Sequence, residues 1–185
     1  KRGISMDAKQ IKDEGLKLYR EARYEEAAAK FAEAQQAFAA EGNAKEAAEC
    51  VNNRGVCWRQ AAKFEEATAA FEEARAAFQG LADSMGEAQV LGNLAALADS
   101  RGDAQQALTL YQQAVELFEK LDAQDYVKDT YTAISKLKLK QRDFMGAIAS
   151  FDAGLEQLDN PTLVERMARK ILGGGTPKSV DKPEE

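Results

Sequence analysis

The chain has 185 residues, no histidine, two cysteines and a formal net charge of −6. That balance argues against nucleic acid as the main ligand, since phosphate binding needs a basic field, and no apolar run approaches the roughly 20 residues of a membrane span or resembles a signal peptide. Without histidine the commonest general base and metal ligand are missing, while few prolines and abundant Ala, Glu, Gln, Lys and Leu favour helix throughout.

In chain order, residues 1–7 read as an N-terminal extension, with Met6 a candidate natural start. Four helix pairs follow, over about 8–43, 44–83, 84–123 and 124–159. In the first pair, one helix is predicted over 8–22 and the next from Tyr24 to about Ala40, where Gly42-Asn43 breaks the chain. The second pair covers 44–61 and 64–78, with Gly80 as the break. The third covers 86–100 and 104–121, separated by Arg101-Gly102-Asp103. The fourth covers 124–141 and 144–158. Within each second helix the apolar residues fall three and four apart, which makes one helical face, and no stretch alternates with period two. Asn160-Pro161 is a helix start, an N-cap followed by proline at the first helical position. Leu163, Met167 and Ile171 share one face of that helix, so 160–172 is expected to cap the last pair. Residues 173–185 read as a flexible tail or linker.

Cys50 and Cys57 lie seven residues apart on one predicted helix. At about 1.5 Å per residue they are roughly 10 Å apart, too far for a mutual disulfide. They read as core thiols in a reducing compartment, the cytoplasm.

Three ladders run through the chain at a step of 40 residues. The first is Ala27-x3-Phe31-x2-Ala34, repeated at Ala67/Phe71/Ala74, Ala107/Tyr111/Ala114 and Ala147/Phe151/Gly154. The second is Phe38, Phe78, Phe118 and Leu158, and the third is Gly15, Gly55, Ala95 and Ser135. Internal periods of 20–50 residues signal stacked repeats that bury their apolar faces only against neighbours. The pattern resembles the tetratricopeptide repeat (TPR): a Gly in helix A, for which Ala95 and Ser135 are small substitutes, a large residue opening helix B, Ala three on, an aromatic four later, Ala three later again. A step of 40 exceeds the usual 34 and is similar to the longer-repeat branch of kinesin light chains and spindle-orientation adaptors, as is Gly86-Glu-Ala-Gln-Val-Leu-Gly-Asn93-Leu followed by Arg101-Gly102-Asp103. A HEAT-like array would lack the Ala-x3-aromatic rule.

The resemblance implies an all-α, right-handed α-solenoid of four TPR-like repeats with a C-terminal capping helix. It also implies a non-catalytic scaffold or adaptor, holding an extended peptide or partner segment in a concave groove formed by the A helices. No cofactor or metal is expected. The implied groove comprises Lys9, Lys12 and Leu16 of the first repeat, Asn52, Asn53, Val56 and Arg59 of the second, Gln89, Asn93 and Ala96 of the third, and Lys136 and Lys140 of the fourth. Asp13, Arg20, Glu49, Asp99 and Asp129 add charges, giving six basic and four acidic groups, a balance that favours a ligand with acidic residues. Asn53 and Asn93 occupy the same position one repeat apart; an amide there offers donor and acceptor to a peptide bond. The chaperone-tail version of the family would need Asn and basic residues where Leu16, Gln89 and Asn93 stand, so that carboxylate clamp is not expected. Trp58 reads as core packing, and Lys136-Leu-Lys-Leu-Lys140 as a solvated face or a contact for an acidic partner. Two other readings stay open: a self-assembling unit that forms homo-oligomers through its ends or tail, and a regulatory module of a larger protein.

Overall fold

The computed structural model describes residues 7–156, so the expected capping helix at 160–172, the tail at 173–185, Leu158 and most of the N-terminal extension lie outside the described residues. Eight helices and no strand are present among the described residues: α1 (Ala8–Arg20), α2 (Tyr24–Ala40), α3 (Ala44–Gln60), α4 (Phe64–Gly80), α5 (Ser84–Ser100), α6 (Ala104–Lys120), α7 (Gln124–Lys140) and α8 (Phe144–Glu156). Each helix packs on the next within two compact units, one ending at Ala123 and one beginning at Gln124. The architecture is an all-α repeat solenoid.

The sequence repeats every 40 residues, but the backbone repeats every 20. From α2 to α7 every helix has 17 residues. The chain then turns through a left-handed residue at Ala22, Gly42, Ala62, Ala82, Gly102, Asp122 and Arg142. At each turn the next N–H reaches back to the carbonyl five residues earlier, as in Lys63 N to Trp58 O at 2.9 Å and Asp103 N to Ala98 O at 2.9 Å. Those bonds satisfy helix-end carbonyls and start the following helix with no spare residue. Asp7, Asn43, Asp83 and Asp103 cap the next helix by accepting a backbone N–H three residues on. This corrects one boundary: Gly80 is the last residue of α4 and not its break, because the left-handed turn is made by Ala82.

Only two of the seven turn residues are glycine. An L-residue in this conformation brings its Cβ against the following carbonyl. Ala62→Gly, at an exposed turn with φ of 56°, is therefore expected to stabilise the protein. Strain relief of about 1–2 kcal/mol is partly offset by the greater freedom of glycine when unfolded, leaving a gain of about 0.5–1 kcal/mol. Urea unfolding measures it, and a loss of stability would contradict the strain argument.

The ladders form the core. Ala27, Ala67 and Ala107 are fully buried, and Phe31 and Phe71 sit beside them. A Cβ added at Gly15 would meet the Phe31 ring at 3.2 Å, and one at Gly55 would meet the Phe71 ring at 2.6 Å. The small residue in helix A thus makes room for the aromatic of its own repeat. In the second unit the Ser135 hydroxyl donates to the Ala147 carbonyl at 2.8 Å, and Gly154 brings α8 close to Tyr131 of α7. Trp58 packs between two clusters of the first unit, one around Phe31 and Cys57 and one around Phe71 and Phe78, with Lys63 Nζ 5.1 Å from its ring.

Candidate functional site

In the first unit the A helices α1, α3 and α5 lie side by side. Their adjacency follows from the turn spacing, which returns every second helix to the same side. Side chains link them laterally. Lys12 of α1 donates to Glu46 and Glu49 of α3, both at 2.7 Å. Gln60 Nε2 donates to the Tyr19 hydroxyl at 3.3 Å. Asn93 Nδ2 of α5 donates to Asn52 Oδ1 of α3 at 2.9 Å. Lys45 and Asp83 pair at 2.7 Å.

The implied groove residues of this unit lie on α1, α3 and α5, and most are half-buried: Lys12, Leu16, Asn52, Asn53, Val56, Arg59, Gln89, Asn93 and Ala96, with Lys9 exposed at the start of α1. Lys136 and Lys140 are exposed on α7 and belong to the second unit. The two asparagines one repeat apart have different surroundings. Asn93 donates to Asn52, while the Asn53 amide makes no side-chain bond in the structure. Arg59 Nε is buried without a hydrogen-bond partner.

The charges also differ from the sequence reading. Burial alone would lower the Lys12 ammonium, but the hydrogen bonds and charges of Glu46 and Glu49 outweigh it and hold its pKa above the ordinary lysine value. Lys12 is a cross-link between α1 and α3. With Glu46 counted, the first unit's face carries Lys9, Lys12, Arg20 and Arg59 against Asp13, Glu46, Glu49 and Asp99. It is balanced, so the expected preference of this groove for acidic ligands loses its support. The sequence reading missed Glu46 because its partner lies 34 residues upstream on another helix.

Cys50 and Cys57 are free and fully buried, as the sequence indicated. Burial pushes the Cys50 thiol to about 11 and the Cys57 thiol to about 12. In the unfolded chain a thiol titrates near ~8.5, so the folded pKa is the higher one. The stabilisation is therefore complete below pH ~8.5 and is lost as pH rises toward the folded values. The melting temperature is expected to fall from about pH 9 upward, and the Cys50→Ala/Cys57→Ala double variant should show a shallower fall between pH 9 and 11 (roughly, on the same linkage argument). Equal slopes would mean the thiols ionise alike in both states.

The Tetratricopeptide repeat family model matches residues 47–120. Those residues span most of α3 through α6, which carry the buried Ala–aromatic ladders. No curated protein matches the chain in sequence. Among solved structures, BtubC (BKLC) from P. vanneervenii is similar over 100% of this chain and 73% of its own, with 21% identity and a TM-score of 0.66. That likeness concerns the fold. The Cut9–Hcn1 hetero-tetramer of the APC/C covers 90% of this chain and 43% of its own at 16% identity, with a TM-score of 0.29. Tetratricopeptide repeats generally mediate protein–protein interaction. No helix among the described residues is long and apolar enough to cross a membrane.

Proposed function

We propose that the protein is a non-catalytic adaptor whose A-helix face in the first unit holds an extended peptide segment of a partner. The observation that carries this reading is the half-buried strip of amides and small apolar residues, Asn52, Asn53 and Asn93 beside Leu16, Val56 and Ala96. An extended peptide offers a donor and an acceptor at each residue, and an unbonded amide at Asn53 suits either. Each such bond contributes about 0.5–1.5 kcal/mol net. Arg59 Nε adds a buried donor at the far end of α3. The cytoplasm is the proposed compartment, supported by two buried cysteines that are free.

The test compares wild type with Asn53→Ala/Asn93→Ala in capture of partners from native lysate, with helicity matched by circular dichroism. A partner held by wild type and lost by the variant supports the reading. Capture of the same partners by both moves binding off this face, and capture of nothing but the chain itself favours the self-assembling unit.

A further inference from the structure

The turn between α7 and α8 differs from those that open α2 and α4. In α2 and α4 the first turn carries Glu25-Glu26 and Glu65-Glu66, placed where the helix dipole favours negative charge. The first turn of α8 carries no acid; Met145 and Gly146 stand there instead. Met145 is 77% exposed, Phe144 61% and Leu139 48%.

All three flank one turn, Leu139 at the end of α7 and Phe144 and Met145 at the start of α8. Leu139 and Phe144 occupy the positions of Tyr19 and Tyr24 in the first repeat, whose rings lie 5.5 Å apart across a turn of the same hydrogen bonding. In the second unit Asp143 N bonds to Lys138 O at 3.0 Å, as Arg23 N bonds to Leu18 O at 3.0 Å. Through this turn, the stretch 136–146 holds Lys136, Lys138, Lys140 and Arg142 against one acid, Asp143. The Asp143 carboxylate caps α8 by accepting the Gly146 N–H at 2.9 Å. A chain of net charge −6 thus places exposed apolar side chains within a local basic field. Helix stability favours Glu at position 145, and Met145 is largely exposed, so packing among the described residues does not account for it.

We propose that this turn of the second unit is a further docking surface, for an acidic segment of a partner protein. The segment sets an apolar side chain against Leu139, Phe144 and Met145 and its carboxylates against Lys136, Lys138 and Arg142. The cations speed association and set its sign preference, and the apolar contact sets residence.

The test uses two labelled helical probe peptides with identical leucines, one bearing glutamates and the other lysines at the remaining charged positions. Fluorescence anisotropy against the full chain should show the glutamate peptide binding tighter by about tenfold, with the difference shrinking as salt rises. Met145→Glu installs the residue type of the first two repeats, so helicity and melting temperature should hold or rise while affinity for the glutamate peptide falls at least about tenfold. Met145→Gln, the residue type of Gln105, should fall between. Equal binding of the two peptides, or full binding by Met145→Glu, overturns the proposal. So does failure of the glutamate peptide while vesicles of phosphatidylglycerol and phosphatidylcholine bind, which would make the turn a bilayer contact. Sedimentation showing a dimer that Met145→Glu dissociates would make it a contact between copies. None of these variants touches Asn53 or Asn93, so this proposal and the groove reading fail separately.

Discussion

Phe71→Ala is expected to destabilise the protein by about 3–5 kcal/mol. Phe71 is fully buried in the cluster that joins α3, α4 and α5, with Val51, Ala67, Phe78 and Val90 around it. Its ring lies over Gly55, and because the helix backbones on either side are held by their own hydrogen bonds they cannot collapse into the space the ring leaves. The cost therefore includes the lost transfer energy of the ring and a residual cavity. Trp58 packs against the same cluster, so its fluorescence during urea unfolding reports the change directly. A shift below about 1 kcal/mol would mean that the ladder is not the packing seam, since core aromatic truncations fall well above it.

Gly86→Val should cost about 1–3 kcal/mol or more, through overpacking. Gly86 lies in the first turn of α5, and a Cβ there would run into the Phe78 ring. Phe78 is buried and cannot swing away, so either the ring leaves its rotamer or α5 moves off α4. Gly80 is the control. It is exposed at the end of α4 with nothing within 4 Å of an added Cβ. Gly80→Ala should stabilise by about 0.5–1 kcal/mol, because alanine loses less backbone entropy in a helix. If thermal melts show the two glycines responding alike, close approach at Gly86 is refuted.

The helices were legible residue by residue. Tyr24–Ala40 and Gln124–Lys140 fall within a residue or so of the expected spans, because the spacing of apolar residues and the capping side chains act over one or two turns. The turns were less legible. Gly42 and Gly102 announced themselves, but Ala22, Ala62, Ala82, Asp122 and Arg142 adopt the same left-handed conformation without the residue that signals it. There the packing of successive helices imposes the turn against local preference, and the backbone step of 20 is hidden beneath a side-chain step of 40.

For the candidate site, the amino-acid sequence determined which positions of the A helices are equivalent, because a 40-residue step with regular helices carries each position onto its counterpart. Tertiary structure decided what the side chains there do. Lys12 joins Glu46 and Glu49 across 34 and 37 residues, and Asn93 finds Asn52. Partner choice between neighbouring helices depends on their lateral offset by a fraction of a turn. That offset is set by how bulky residues such as Phe71 and Trp58 seat between helices, a three-dimensional quantity that no ladder of equivalent positions contains.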